Sequence, residues 1–235
     1  MNKKKLYSQQ NFLIKFILFW YWKIKDLVHL IKYGRTFNEF GLTLYCGRQG
    51  AGKTMAMIEY LERMRFKYPN AKIVTNFDYI HQDYQLETWR DILNIRNGEE
   101  GVIFALDEIQ NEFSNTKWKD FPEWLLREVT QQRKQRVKIV GTSQVFTRVV
   151  KQLREQCFEV VECRTLFGRW TFTKAFDAEE YNSVVDDPEK KMKLRRLWRR
   201  NFIQDNYIRN LFDSYKKIER LENESFIDRN ERVSS

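Results

Sequence analysis

The chain has 235 residues, a length that suits one globular domain with appended segments, because single hydrophobic cores run to about 250 residues. It is 42% hydrophobic and 15% aromatic, and its three Pro and nine Gly argue against long disordered linkers. The 42 Lys and Arg exceed the 32 Asp and Glu, so the net charge of +10 favours an anionic partner, either nucleic acid or a lipid surface.

The cysteine and histidine content limits redox and metal chemistry. Cys46, Cys157 and Cys163 lack the spacing of metal ligands and lie in apolar, strand-like contexts. We interpret them as reduced core residues of a cytosolic protein. Two histidines, His29 and His81, are too few for a histidine-based metal site.

The first predicted element is a helix over residues 12–33. Its first half is apolar nearly all round, and from Lys23 onward it becomes amphipathic, with apolar residues on one face and charged residues opposite. The longest uncharged run, residues 16–22, is far shorter than the ~20 residues that span a bilayer. Two interpretations stay open. The helix either lies on a membrane surface, or it packs on the core or on a neighbouring subunit.

A glycine-rich loop follows the next predicted strand, residues 41–46. It fits the pattern Gly-x-x-x-x-Gly-Lys-Ser/Thr, and its members are Gly47, Arg48, Gln49, Gly50, Ala51, Gly52, Lys53 and Thr54. The glycines let backbone N–H groups approach an anion, and the helix predicted from Lys53 points its positive end at the same place. The sequence therefore predicts an ATP site in which Lys53 reaches the β- and γ-phosphates and Thr54 binds Mg²⁺.

The second part of the predicted site is a pair of acids. Residues 102–106 form an apolar strand that runs directly into Asp107 and Glu108. We expect Asp107 to hold Mg²⁺ through its water shell and Glu108 to act as the general base that activates water. A helix cap is the ordinary alternative for such a pair, but the upstream phosphate loop favours the catalytic interpretation.

A further predicted strand, over residues 137–144, ends in polar residues. Ligands of open α/β sheets bind at the carboxyl ends of the strands, so we expect Thr142, Ser143 and Gln144 beside Lys53 and Glu108. Gln144 is the candidate for sensing the γ-phosphate or orienting water. A polar turn without such a role is the alternative.

The rest of the chain is predicted as a strand over residues 158–163, a hairpin with its turn at Gly168, and a basic tail. The tail, residues 177–235, is expected to be helical, and the basic run within residues 189–200 contacts either an anion or another subunit. The expected domains are an N-terminal helical segment (1–40), a P-loop ATPase domain (41–176) and this tail.

Four sequence features together resemble the zonular occludens toxin-like (Zot-like) family, within the FtsK–HerA branch of P-loop ATPases. They are Gly-Arg-Gln-Gly-Ala-Gly-Lys-Thr at 47–54, Val-Thr-Asn at 74–76, Leu-Asp-Glu-Ile-Gln at 106–110 with Phe113 close behind, and Gly-Thr-Ser-Gln at 141–144. The resemblance covers roughly residues 41–163.

The resemblance implies an α/β fold of the ASCE (RecA-like) type, with a mainly parallel five-stranded sheet. It also implies ATP-driven handling of phage or mobile-element DNA during virion assembly and export, as a homo-oligomeric ring at the inner membrane. Zot-like members typically carry a transmembrane helix after the ATPase core, and this sequence shows none. That difference argues against a membrane-spanning form and opens a role such as genome packaging in the host cytoplasm, with residues 12–33 as the candidate peripheral anchor.

Ring ATPases often complete the site with an arginine from the neighbouring subunit. The candidates here are Arg133, Arg136, Arg148 and Arg154, and the sequence does not choose among them.

The leading functional hypothesis is a Mg²⁺-dependent ATPase motor that translocates or packages DNA, or assembles and exports virions, together with phage or mobile-element assembly proteins. The alternative is a nucleotide-switched, membrane-associated scaffold that recruits such machinery. A small-molecule kinase fits less well, because an acid directly after Asp107 suits water activation better than transfer to a hydroxyl.

Overall fold

The computed structural model describes residues 11–88, 90–112 and 135–212. The positions Phe113 and Arg133 and the tail after residue 212 lie outside these ranges. The chain forms two compact units, residues 1–36 and 37–235, and each is described by itself.

The described part of the first unit contains helix α1 (Phe12–Tyr33), where the sequence predicts it. The helix ends at Gly34, whose φ of 77° is in the left-handed region that glycine adopts without strain. Large apolar side chains along its length are exposed, among them Phe12, Ile17 and Ile24. Among the described residues, none of the helices has both the length and the apolar character that crossing a bilayer demands.

The second unit alternates strands and helices. Its strands are β1 (Gly41–Cys46), β2 (Lys72–Thr75), β3 (Tyr84–Gln85), β4 (Val102–Leu106), β5 (Val137–Ser143), β6 (Cys157–Leu166), β7 (Trp170–Asp177) and β8 (Arg196–Ile203). Its α-helices are α2 (Lys53–Lys67), α3 (Asp91–Asn94), α4 (Ile109–Glu112), α5 (Lys151–Arg154), α6 (Ala178–Val184), α7 (Pro188–Lys193) and α8 (Asn206–Asn210).

The eight strands found in the described residues join one sheet in the order β3-β2-β4-β5-β1-β6-β7-β8. The pairs from β3 to β6 are parallel, and β7 and β8 add an antiparallel extension. The predicted α/β fold with a mainly parallel sheet is therefore confirmed. The sheet has more strands than the five expected. The two-residue strand β3 extends it at one edge, and β7 and β8 extend it at the other.

The centre of the sheet is buried on both faces, as parallel strands with helical crossovers require. β1, β4 and β5 are fully buried, and their side chains alternate between two apolar layers. Helix α2 supplies one layer, where Met57, Ile58 and Leu61 have no exposed surface. Burial of each such side chain contributes roughly 1.5–3 kcal/mol, which holds α2, and with it the phosphate loop, against the sheet.

The basic tail differs from its prediction. Residues 178–193 form two short helices, α6 and α7, but the basic run Arg196–Ile203 is strand β8 and not helix. The strand pairs with β7 along its length, from Phe176↔Arg196 to Trp170↔Ile203. The expectation of a helical tail is thus wrong for Arg196–Ile203, which is an edge strand of the sheet.

The three cysteines are free thiols inside this fold. Cys46 and Cys163 are buried and Cys157 is half-buried. Burial raises the pKa of Cys157 and of Cys163 to about 12, because desolvation disfavours the thiolate. At neutral pH both are therefore unreactive thiols, which agrees with the structural interpretation of these residues.

A carboxylate on α2 ties this helix to two other segments. Glu62 accepts hydrogen bonds from the hydroxyls of Tyr79 and of Tyr207 (3.0 Å to Oε2), and its Oε1 lies 2.9 Å from His81 Nδ1. Burial alone would raise the pKa of Glu62, but the hydrogen bonds from His81, Tyr79 and Tyr207 outweigh it and lower that pKa below its ordinary value.

We expect Glu62→Gln to lower the free energy of unfolding on the order of 1 kcal/mol at pH 7, since the side chain is partly exposed. Because the pKa of Glu62 is lower in the folded than in the unfolded protein, its ionisation stabilises the fold at pH values above the ordinary glutamate pKa. This stabilisation is lost as the pH falls through the pKa of the folded state. Urea unfolding of both proteins from pH 7 downward checks this. The difference in unfolding free energy between wild type and variant should shrink below about pH 4.3. A difference that stays constant with pH would contradict the lowered pKa of Glu62.

Candidate functional site

The predicted phosphate loop connects the end of β1 to the start of α2. Gly50 and Gly52 have φ of 77° and 83°, a left-handed conformation that a side chain would strain. Helix α2 begins at Lys53, and Gly52 has no side chain to cap the N–H groups of its first turn. The half-buried Lys53 folds back over the loop, where its Nζ donates to the Arg48 carbonyl at 3.2 Å. The loop therefore presents backbone donors and one ammonium group together, as anion binding requires.

The loop and the acidic pair meet at the side chain of Asp107. Its Oδ1 accepts a hydrogen bond from the Thr54 hydroxyl at 2.9 Å and another from the Thr142 hydroxyl at 2.7 Å. Asp107 is only 7% exposed, and Thr54 lies 53 positions earlier in the sequence. The structure thus brings together the two predicted Mg²⁺ residues, Thr54 and Asp107, with Thr142 from the end of β5.

The backbone of Asp107 is fixed by a residue to which the sequence analysis gave no role. Asn76, just after β2, accepts from the Asp107 N–H at 2.7 Å and donates to the Asp107 carbonyl at 3.2 Å. Asn76 thus hydrogen-bonds both the N–H and the carbonyl of Asp107, and it fixes the orientation of the backbone at the acidic pair. The Val-Thr-Asn element at 74–76 is a recognisable sequence motif, and the contacts of its asparagine are visible in the structure.

Glu108 has a backbone that few non-glycine residues adopt. Its φ of 53° is in the left-handed region, at a cost of about 1–2 kcal/mol, and its N–H donates to Thr142 Oγ1 at 2.8 Å. Its side chain is half-buried at the carboxyl edge of the sheet. Strain of this kind persists where the surrounding structure imposes it, and such positions cluster at functional sites.

Gln144 follows β5 at the same edge and is half-buried. Its Oε1 accepts a hydrogen bond from Arg148 at 3.1 Å, so this arginine is held by its own chain. The neighbouring Ser143 turns back on its own loop, donating to the Val145 carbonyl at 2.9 Å. Of the three predicted polar residues, Thr142 is the one that contacts the acidic pair directly.

The other described arginine-finger candidates also make contacts within the chain. Arg136 precedes β5, at the opposite edge of the sheet from the phosphate loop, and donates to the carbonyls of Phe37 and Glu99 at 3.2 and 3.1 Å. Arg154 donates to Asn182 at 2.9 Å. The structure therefore assigns no finger, and the role stays a prediction.

Behind the phosphate loop lies a polar contact that the sequence analysis missed. The Thr165 hydroxyl on β6 donates to the Ala51 carbonyl at 3.0 Å and lies 2.9 Å from the hydroxyl of Thr171 on β7. Gln204, after β8, donates to Thr171 at 2.8 Å, and both Thr171 and Gln204 are buried. These contacts join residues far apart in sequence, so no local pattern signals them. They connect the loop to the antiparallel extension.

Gly52 and Gly50 share a positive φ but differ in how closely other residues pack against them, so they can be compared by substitution. A Cβ at Gly52 would lie 2.3 Å from Thr165 Oγ1 and 3.0 Å from Thr171 Oγ1, whereas a Cβ at Gly50 meets nothing within 4 Å. Both glycines have positive φ, so alanine costs about 1 kcal/mol of backbone strain at either position.

We expect Gly52→Ala to destabilise the protein by roughly 1–3 kcal/mol more than Gly50→Ala, because only Gly52 is in close contact with the hairpin. Thermal unfolding of the two variants without nucleotide measures this difference. Equal melting temperatures would contradict the packing of Thr165 and Thr171 against the loop.

Comparison with known proteins places this arrangement in a family. The family model "Zonular occludens toxin (Zot)" matches residues 54–198, more than half of the chain. No curated protein matches the sequence. Among solved structures, the N-terminal domain of zonular occludens toxin from Neisseria meningitidis is similar, with a TM-score of 0.52 and 16% identity over 74% of this chain and 100% of that one.

More distant likenesses extend to other nucleotide-binding proteins. The genome packaging NTPase B204 from Sulfolobus turreted icosahedral virus 2 has a TM-score of 0.45 and 10% identity, over 60% of this chain and 93% of its own. The Type VII secretion ATPase EccC from Thermomonospora curvata has a TM-score of 0.43 and 12% identity, over 60% of this chain and 23% of its own. At these sequence identities, structural similarity supports only the fold. The assignment of the chain to a family rests on the match to the family model. The chain belongs to the zonular occludens toxin (Zot) family and is a P-loop ATPase.

Proposed function

We propose that this ATPase is a motor that couples Mg²⁺-dependent ATP hydrolysis to the movement of DNA, in packaging or in virion assembly and export. The observation that carries the proposal is the hydrogen bond between Thr54 and Asp107, which joins the phosphate loop and the acidic pair into one site. A bound triphosphate would place its β- and γ-phosphates on the loop N–H groups and on Lys53.

The oxygen donors at the junction fit Mg²⁺. Asp107 supplies a buried carboxylate and Thr54 a hydroxyl, and hard oxygen ligands are those that Mg²⁺ prefers. When bound there, the ion would neutralise phosphate charge. The Thr54 oxygen would then coordinate the ion, and its hydroxyl would no longer donate to Asp107. Thr142 would keep its contact with the carboxylate, and Asn76 would keep its contact with the Asp107 backbone.

Glu108 would take the proton of the attacking water. Its N–H contact with Thr142 and its left-handed backbone set its position at the edge of the sheet where the loop opens. Gln144 would orient the water or sense the γ-phosphate, and its contact with Arg148 offers a route by which a neighbouring subunit in a ring affects the site.

The direct test is an ATPase assay with single-stranded DNA, with duplex DNA and with no DNA, alongside a mass measurement with an ATP analogue. We expect hydrolysis that requires Mg²⁺ and rises with one of the two DNA forms, and a homo-oligomer in the presence of the analogue. Hydrolysis that no DNA changes would argue against a DNA motor, and absence of both nucleotide binding and turnover would argue against the proposal as a whole.

One feature favours a second function, a nucleotide-switched scaffold at the cytoplasmic face of a membrane. Helix α1 exposes apolar side chains next to lysines, and Lys25 Nζ lies within 5.3 Å of the ring centres of Tyr21 and Trp22. Aromatic and basic residues on one helix are typical of interfacial binding. Liposome flotation that depends on residues 12–33, together with ATP hydrolysis that DNA does not stimulate, would favour the scaffold over the motor.

A further inference from the structure

The antiparallel extension of the sheet carries an exposed surface that the ATP site does not use. Strand β6 pairs with β1 as far as Cys46↔Glu162 and then continues to Leu166, so its last residues run on beyond the end of β1 with β7 and β8. Side chains of successive residues point to opposite faces of a sheet. One face of this extension packs in the apolar layer of α2, through Val161 and Ala175 among others.

Beyond the buried Val160 and Phe176, the opposite face is exposed or half-buried. Directly paired residues of antiparallel strands lie on the same face, and the register gives two rows there, Arg164–Phe172–Asn201 and Glu162–Lys174–Arg199, with Trp170 beside them. We call this surface the cationic face, and its members are Arg164, Trp170, Phe172, Lys174, Arg199 and Asn201.

Among the described residues, the cationic face has unpaired positive charges that can bind an anion. Lys174 and Arg199 are directly opposite each other on β7 and β8, and like charges in that position destabilise a sheet. Both are exposed, as is Arg164, and none of the three pairs with an acid in the described part of the chain. The one acid in these rows, Glu162, is occupied by other partners, since its Oε1 accepts from Tyr181 at 2.9 Å and lies 2.7 Å from Lys191 Nζ.

The aromatic residues of the cationic face add a second kind of contact. The rings of Trp170 and Phe172 have centroids 4.9 Å apart and planes tilted by 37°. Trp170 is 42% exposed, and its Nε1–H donates to Asn201 Oδ1 at 3.1 Å, which fixes the indole on the surface. Phe172 is half-buried beside it. Aromatic rings at the surface of a sheet, flanked by cations, are the means by which sheets bind unpaired bases and their phosphates.

The cationic face is connected to the phosphate loop through the thickness of the sheet. Thr165 and Thr171 alternate with Arg164, Trp170 and Phe172 along β6 and β7, so they point to the other side, where Thr165 donates to the Ala51 carbonyl. A ligand that shifts these two strands therefore shifts residues in contact with the phosphate loop.

From this geometry we infer that the cationic face binds single-stranded DNA, with bases stacked on Trp170 and Phe172 and phosphates on Arg164, Lys174 and Arg199. The inference rests on the proposed function and identifies its DNA-binding surface. Stacking requires unpaired bases, so duplex DNA of the same length binds more weakly. Thr165 and Thr171 transmit occupancy of the face to the ATP site.

The test measures binding of a fluorescent oligothymidylate to the full chain at several salt concentrations, together with DNA-stimulated ATP hydrolysis. Trp170→Ala and Phe172→Ala should each weaken binding at least about fivefold, the lower end of the range for one stacked base. The triple variant Arg164→Gln, Lys174→Gln and Arg199→Gln should lower the slope of log affinity against log salt by roughly 2, at about 0.7 for each phosphate contact.

Matched controls are Phe66→Ala, at an aromatic residue that is 91% exposed on α2, and Lys151→Gln, at an exposed lysine on α5. Neither should change DNA affinity, and ATP hydrolysis without DNA should be the same in all variants. The charge variants lie on the surface, so they test the inference even if Trp170→Ala does not fold.

Three different results would overturn the inference. If DNA stimulates the wild type and the variants bind it equally well, the cationic face is not the binding surface while the proposed motor function stands. If the wild type neither binds DNA nor responds to it, the proposed function fails and the inference fails with it. Preference for duplex DNA over the single strand would exclude the stacking mode.

Discussion

Glu108→Gln is expected to lower the rate of ATP hydrolysis by roughly 10²–10⁴-fold and to leave ATP binding intact. The magnitude is that of a missing general base, since glutamine has the size of glutamate but cannot take a proton at neutral pH. The backbone contact that positions this residue, from its N–H to Thr142, is unaffected by the change. Single-turnover hydrolysis and equilibrium binding of a fluorescent ATP analogue measure the two effects separately.

Glu155→Gln is the matched control for this variant, because the carboxylate of Glu155 is exposed and pairs with Lys151, four residues earlier, at 3.7 Å. It should hydrolyse ATP at the wild-type rate. Turnover of Glu108→Gln within about threefold of wild type would exclude Glu108 as the base.

Lys53→Ala is expected to weaken ATP binding by at least about 30-fold, the lower end for removing one partner of a close charge pair. In the structure the ammonium of Lys53 lies over the loop at 3.2 Å from the Arg48 carbonyl, where it adds positive charge to the backbone donors. Because binding and catalysis both depend on this charge, hydrolysis should fall with affinity, unlike in Glu108→Gln. Isothermal titration with ATP and Mg²⁺ measures the loss.

Lys151→Ala controls for the loss of one positive charge from the protein, because it removes an exposed lysine from the short helix α5. It should bind ATP as the wild type does. Unchanged ATP affinity in Lys53→Ala would mean that the nucleotide does not lie on this loop.

The parts of the site that could be predicted from the sequence are those with a local pattern. The phosphate loop has fixed spacing between Gly47, Lys53 and Thr54, and the acids follow an apolar strand. Parallel strands place their carboxyl ends together, and Thr142 lies beside Glu108 as expected, with its Oγ1 2.8 Å from the Glu108 nitrogen.

The parts that could not be predicted depend on tertiary pairing. Strand β8 contains Arg196, Arg199 and Arg200, all exposed, and so lacks the alternation of apolar and polar residues that marks a strand. Its conformation comes from hydrogen bonding to β7, which overrides local preference. The contacts of Gln204 with Thr171 and of Asn76 with Asp107 span 33 and 31 positions, and no spacing rule links them.

A structure of the protein with a non-hydrolysable ATP analogue and Mg²⁺ tests the central claim most directly. We predict the β- and γ-phosphates on the loop N–H groups and Lys53, the ion next to Thr54 and Asp107, and the Glu108 carboxylate facing the γ-phosphate. A nucleotide bound elsewhere, or a γ-phosphate that points away from Asp107 and Glu108, would contradict the claim that these two segments form one hydrolytic site.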